Sequence, residues 1–160
     1  MDIKYLIQLK NHPTIKEKST DYVNKLKPLT EAEIVSLEVR YNDEKTFPAA
    51  LRELLYLAGN DCYVLDYGLS DSQEEMQEDG RKWLVKHNKT INRPFFVIDV
   101  YNGSNQFLFV YLDEGDDPLV YEAVLYDKTT GWIHCLNNNV QLSEFIDNQL
   151  LRLLSDQNPF

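Results

Sequence analysis

Phe95-Phe96-Val97-Ile98-Asp99-Val100-Tyr101, followed by Asn102-Gly103 and then Gln106-Phe107-Leu108-Phe109-Val110-Tyr111-Leu112, is the stretch that decides the fold. Both runs are rich in aromatic and β-branched residues, which suit a pleated, packed surface. Asn-Gly between such runs is the strongest short hairpin signal, here within a loop of about four residues. The pattern repeats downstream. Residues 113–118 read as a turn, 119–126 as a third strand, 127–131 as a turn and 132–136 as a fourth strand. Short loops exclude the long crossovers that parallel strands need, so the sheet is an antiparallel meander. Residues 142–154 close the chain as an amphipathic helix that buries Phe145, Ile146, Leu150 and Leu153.

Upstream of the strands the period is helical. Residues 3–9 and 15–26 read as helices, the second ending before Pro28. Thr30 and Glu33 form a capping box ahead of Ile34, Leu37 and Tyr41. Pro48 suits the first position of the next helix, whose stripe is Leu51, Leu54, Leu55 and Ala58. Gly59 is placed to end it in the left-handed conformation. Residues 62–65 read as a short strand. Ser72 and Glu75 form a second capping box, and Met76, Trp83, Leu84 and His87 continue that helix. Gly80 inside it costs about 1 kcal/mol relative to Ala. Helices, then a meander, then a helix is the α+β order, with helices expected on one face of the sheet.

A length of 160 residues suits a single domain that buries its own core. With 43% hydrophobic and 12% aromatic residues, the composition argues against disorder. The charge is lopsided: 26 Asp plus Glu against 16 Lys plus Arg, a formal net charge of −10. That balance disfavours nucleic acid and anionic membrane, whose contacts rest on Lys and Arg. The acid is also segregated. No Lys or Arg occurs from Glu53 to Gly80, which holds eight carboxylates, or from Pro94 to Asp127, which holds seven. Between them Arg81, Lys82, Lys86, Lys89 and Arg93 form one basic cluster. Solubility is the plain explanation of an acidic balance. Segregation adds the prospect of steering a cationic partner.

The start, Met1-Asp2-Ile3-Lys4, carries no run long enough for a signal peptide, and nowhere do 18 apolar residues run together, so a cytoplasmic protein is expected. Cys62 and Cys135 form no CxxC pair and read as core thiols. The sequence holds no Walker loop, GxGxxG, GxSxG or HExxH, so no enzyme class, cofactor or metal is indicated. His134 and Cys135 are adjacent on a strand and should face opposite ways, which disfavours a shared metal. His12 and His87 read as structural.

Two acidic clusters stand out. Asp113-Glu114-Gly115-Asp116-Asp117 fails the EF-hand pattern, because position three is Gly115 and position twelve is Val124. It reads as a solvated turn, with partner contact as its second use. Asp71, Glu74, Glu75, Glu78 and Asp79 crowd the start of the helix over 72–87. Early carboxylates there complement the macrodipole. Glu74 and Glu78, however, are a like-charge i,i+4 pair that stability alone does not favour, a hint of function. Among the aromatics Tyr63, Tyr67, Tyr101, Tyr111, Tyr121, Tyr126 and Trp132, Tyr67 is the one marked as a possible interface anchor.

Read together, several segments resemble the SUKH superfamily, which includes the fungal Smi/Knr cell-wall-synthesis regulators and many bacterial immunity proteins. They are Thr30-Glu31-Ala32-Glu33-Ile34-Val35-Ser36-Leu37-Glu38, Phe47-Pro48 leading to Leu51-Arg52-Glu53-Leu54-Leu55, Ala58-Gly59-Asn60, and Phe107-Leu108-Phe109-Val110-Tyr111-Leu112. Pro118-Leu119-Val120-Tyr121 and Leu142-Ser143-Glu144-Phe145-Ile146 continue the likeness, which spans residues 30–154. The chain departs from the family in lacking a doubled glycine at the turn. A helical extension over 1–29 and the acidic helix over 72–87 also enlarge the usual core. The resemblance implies a Smi/Knr-like domain without catalytic residues that binds proteins and, in bacteria, neutralises a toxin, often a nuclease. The partner is then a basic protein, met by Asp66, Asp71, Glu74, Glu75, Glu78, Asp79, Asp113, Glu114, Asp116 and Asp117. The alternative is a regulatory scaffold of the Smi/Knr type that binds cellular proteins.

Overall fold

The computed structural model describes residues 1–16, 22–67, 70–101, 105–136, 139–155 and 157. Its frame is the expected meander. β3 (Phe95–Tyr101), β4 (Gln106–Tyr111), β5 (Val120–Val124) and β6 (Ile133–Cys135) pair antiparallel in the order β3-β4-β5-β6. Phe95 sits opposite Tyr111, Gln106 opposite Val124, and Tyr121 opposite Cys135. The Asn102-Gly103 signal lies outside the described residues. In the β4–β5 turn Gly115 has a φ of 85°, a left-handed conformation that glycine adopts without steric cost.

Among the described residues five helices complete the α+β architecture: α1 (Ile7–Asn11), α2 (Glu31–Tyr41), α3 (Ala49–Ala58), α4 (Gln73–Lys86) and α5 (Leu142–Leu154). On one face of the sheet, Phe96, Ile98, Leu108, Val110 and Val120 form the main core. They share it with Leu9, Ile34, Leu37, Leu51, Leu54, Phe145 and Ile146 from α1, α2, α3 and α5. Four of the helices thus share this face, but the expectation that all helices cover one face fails at α4.

α4 serves the other face, where Met76 and Leu84 pack with Phe95, Val97, Phe107 and Phe109. Both faces of β3 and β4 are therefore dry, which explains why these strands are continuously apolar rather than alternating. Two residues seat α4. A Cβ on Gly80 would lie 2.9 Å from Val97 Cγ2, so the glycine allows the close approach. Gln77 is fully buried; its Nε2 donates to Val97 O at 2.7 Å and its Oε1 accepts from Val97 N at 2.8 Å. One side chain thus satisfies an otherwise open stretch of the β3 edge, which limits edge-to-edge association.

The capping box of α2 is present. Glu33 N donates to Thr30 Oγ1 at 3.3 Å and Thr30 N to Glu33 Oε2 at 2.7 Å. At α4 only half of the expected box forms: Glu75 N donates to Ser72 Oγ, but the Glu75 carboxylate takes Asp71 N instead. Pro48 is the N-cap of α3 rather than its first helical residue.

Four local expectations are overturned. The described residues of 15–26 are not helical: β1 (Thr14–Lys16) and β2 (Val23–Lys25) pair as a two-stranded sheet, so the described part of the extension over 1–29 is one short helix and a ladder. The apolar spacing of Ile15, Val23 and Leu26 fits either period, and β-branched residues at the paired positions favour the strand. The first helix begins at Ile7, not Ile3, because the amides of Lys4, Tyr5 and Leu6 are bound by the Glu53 side chain. Residues 62–65 form a turn closed by Leu65 N donating to Cys62 O, with Cys62, Val64 and Leu65 buried. Gly59 is right-handed (φ −66°), and its need for glycine is spatial: a Cβ would meet Leu29 Cγ at 2.6 Å.

Two buried glutamates bind the layers together. Glu38, 6% exposed, accepts from Phe47 N at 2.8 Å, ties α2 to the loop before α3, and faces Arg52 Nε at 3.1 Å. Glu53, 3% exposed, accepts three main-chain N–H groups 47–49 positions away. Both are carboxylates whose burial is offset by directed donors.

Candidate partner-binding surface

The ten carboxylates singled out in the sequence fall into two groups with different neighbours. Asp71, Glu74, Glu75, Glu78 and Asp79 line the first half of α4, while Arg81, Lys82 and Lys86 occupy its second half. That order matches the helix macrodipole, positive at the N-terminus and negative at the C-terminus. The like-charge pair Glu74 and Glu78 is explained by Arg40 of α2. Its Nη1 lies 3.3 Å from Glu74 Oε2, and its Nη2 donates to Glu78 Oε1. The hint of function drawn from that pair is therefore withdrawn: a cation from a neighbouring helix bridges it. Asp79 accepts from Lys82 at 3.0 Å. Asp71 and Glu75 are exposed and form none of the described ion pairs, although the Lys82 charge is within electrostatic reach of Glu75.

The β4–β5 turn is tied into the fold rather than simply solvated. Arg93 stacks over the Tyr111 ring at 3.8 Å from its centroid and ion-pairs with both Asp113 and Glu114. Hydrogen bonding to that guanidinium holds the Asp113 carboxyl below its usual range. Glu114 also accepts from Tyr121 Oη at 3.0 Å. Burial, and that bond, push the Tyr121 hydroxyl up to about 12. The Asp117 carboxylate accepts from Ser143 N at 3.0 Å and Oγ at 2.6 Å, capping the start of α5. Asp116 contributes its carbonyl to Ala50 N at the start of α3, and the residue is exposed. Among the described contacts no hydrogen bond or ion pair joins the turn to the α4 carboxylates.

Tyr67, marked as a possible anchor, is instead a packing residue. Its hydroxyl donates to Ala58 O at 3.0 Å and its ring touches the core clusters of both sheet faces. Burial raises that hydroxyl well above its ordinary value. His134 is exposed between two half-buried neighbours on β6, as the strand alternation requires. Among the described residues no group of three His, Cys, Asp or Glu side chains is placed to hold a metal ion. An open groove of about 420 Å³ runs along α5 between Phe145, Asn148, Leu151 and Arg152, and none of the ten carboxylates lines it.

One chemically distinctive residue was passed over in the sequence: Asp99, 4% exposed on β3. A bulge between Val97 and Asp99 interrupts the β3–β4 register, so Ile98 is the extra residue. Before the bulge even-numbered residues face the main core; after it Tyr101 does, and Val100 faces α4. The bulge therefore turns Asp99 to the main-core side, where it meets the 62–67 turn. Its Oδ1 accepts from Val100 N at 2.9 Å, and its carboxylate also takes the Asp66 main-chain N–H. Burial, with the nearby Asp66 charge, pushes the Asp99 carboxyl up to about 8 against those bonds. The signal available in the sequence was a single acid inside a seven-residue apolar run.

Among the described residues no helix is long and apolar enough to cross a membrane. Compared with known proteins, the chain matches no family model, no curated protein and no solved structure.

Proposed function

We propose that this chain is a non-enzymatic, SUKH-type protein-binding domain whose acidic surface neutralises a basic toxin domain, nucleases being the class of target. The observation that carries the reading is the segregated acid. Asp71 and Glu75 are exposed at the start of α4 and form none of the described ion pairs. Exposed Asp66 and Asp116 carry further negative charge on the surface. A nuclease has to present cationic surface to phosphates, and an acidic inhibitor that covers it associates quickly.

Asp117 and Glu114 serve the fold first. Apart from Asp117, which caps α5, Asp66, Asp71, Glu75 and Asp116 are the candidates whose replacement leaves the described ion pairs intact. The test is co-expression with toxin domains encoded beside this chain. Rescue of growth supports the reading, and failure against every such toxin refutes it. With a purified cognate toxin, the combination D71K, E75K and D116K should slow association by about tenfold or more at low salt, with little effect at high salt. An association rate that ignores both charge reversal and salt refutes the acidic-surface mechanism.

A further inference from the structure

We propose that the outer edge of β6 is a self-association surface, on which β6 of a second copy of this chain pairs antiparallel about a two-fold axis at His134. The two edges of the four-stranded sheet differ. On β3 the outward main chain is closed by α4 and the 62–67 turn. Gln77 takes both Val97 N and Val97 O, Arg81 Nη2 donates to Phe95 O at 3.2 Å, and Val100 N donates to Asp66 O at 3.1 Å. On β6 no side chain or loop does this among the described contacts. Val124 N donates to Trp132 O at 2.8 Å, which makes Glu122 and His134 the next bonded pair of the ladder. Bonded and non-bonded pairs alternate in an antiparallel ladder, so the N–H and C=O groups of Ile133 and Cys135 point away from β5. His134 is exposed and both its neighbours are half-buried, so this edge is accessible.

An open edge is a template for another strand. The register of this one suits a second copy. With His134 opposite its own counterpart, Ile133 of each copy lies opposite Cys135 of the other. Both residues direct their main chain outward, so each such pair exchanges its N–H···O bonds in both directions. The Ile133 and Cys135 side chains share the sheet face of Ala123 and Tyr121, their partners on β5, and would pack against one another there. The two imidazoles meet on the opposite face. A closed two-fold contact of this kind ends at a dimer.

Charge decides between a second copy and a basic partner at this edge. Each copy carries a formal net charge of −10, so two of them meet most easily where acid is absent. Lys128 to Ser143, which contains all of β6, holds no Asp or Glu. Glu122, one strand in, is engaged by Tyr101 Oη at 2.8 Å and Gln106 Nε2 at 3.2 Å, and Asp127 accepts from Thr129 N at 2.8 Å. A cationic partner is drawn instead to the acidic first half of α4. Self-association therefore does not rest on the partner-binding reading, and either can fail without the other.

The experiment is sedimentation velocity on the full chain over a concentration series. Wild type should become dimeric as its concentration is raised toward about 1 mM. Ile133→Pro deletes an outward N–H that the ladder to β5 does not use, and should weaken association roughly tenfold or more. His134→Lys and His134→Glu each set like charges opposite one another on the axis, so each alone should stay monomeric where wild type is dimeric, and an equal mixture of the two should recover a dimer. Added salt should tighten the wild-type dimer, the reverse of its effect on binding a basic partner. Wild type that remains monomeric at about 1 mM overturns the proposal. So does a dimer that ignores both I133P and H134K, or a mixture of folded H134K and H134E that stays monomeric. Where H134E fails to fold, H134K and I133P decide, since a lysine at 134 stands opposite Glu122.

Discussion

Replacing Glu53 is the most searching test of how this fold is held together. Its Oε1 accepts from Lys4 N at 2.8 Å, and its Oε2 accepts from Tyr5 N at 2.8 Å and Leu6 N at 2.9 Å. Glu53→Ala removes all three bonds and leaves the donors beside a core that includes Leu6 and Leu9, both 0% exposed. Each orphaned buried donor costs about 1–3 kcal/mol, so the three together cost roughly 3–6 kcal/mol once partial hydration of Lys4 and Tyr5 is allowed for. Detaching the segment to hydrate them instead would expose Leu6 and Leu9, at roughly 1.5–3 kcal/mol each. Neither route is cheap, and small domains have only about 5–15 kcal/mol of stability in total. Glu53→Gln keeps one acceptor oxygen, enough for Tyr5 and Leu6, and sets an NH2 against Lys4 N–H. Its expected cost is about 1–3 kcal/mol. Urea denaturation should therefore rank wild type above E53Q above E53A. Midpoints should shift while the denaturant slope stays constant. E53A within about 1 kcal/mol of wild type would refute the claim that this carboxylate anchors the N-terminal segment.

Two further outcomes follow from the packing. Gly80→Ala gains about 1 kcal/mol of helix propensity yet drives a Cβ to 2.9 Å from Val97 Cγ2, so the melting temperature should not rise, and Gly80→Val should lose about 1–3 kcal/mol; a stabilised G80A measured by thermal unfolding would show that α4 can move off β3 at no cost. Asp117→Ala removes the side-chain cap of α5 and should cost about 0.5–2 kcal/mol in urea unfolding. A loss of partner binding in D117A beyond that predicted from its stability would return Asp117 to the contact surface.

The strands and the last helix were legible because their information is local. Phe95–Tyr101 occurs with the bounds read from its aromatic and β-branched content, and Leu142–Leu154 with those read from its helical period, because each signal is local. The stretch over 15–26 was misread because its few apolar residues satisfy both periods, and pairing between Thr14–Lys16 and Val23–Lys25 decided between them. The candidate surface was half legible. Charge segregation is a property of the sequence, but whether a carboxylate meets solvent or an arginine is not. Arg40 lies 34 and 38 positions from Glu74 and Glu78, and Arg93 lies 20 from Asp113. No linear spacing announces such pairs.

By itself the sequence determined an acidic α+β domain: an antiparallel meander, a capped helix after Thr30, a closing amphipathic helix, and acid kept apart from base. Those follow from local propensity, hydrophobic period and composition, all of which act between near neighbours. Tertiary structure decided what each carboxylate does. Glu38 and Glu53 became internal anchors, Asp117 a helix cap, and Glu74 and Glu78 partners of one arginine. A single bulge turned Asp99 into the core. The physical reason is that the free energy of a charge depends on which donors and cations surround it, and only chain folding brings those from distant positions.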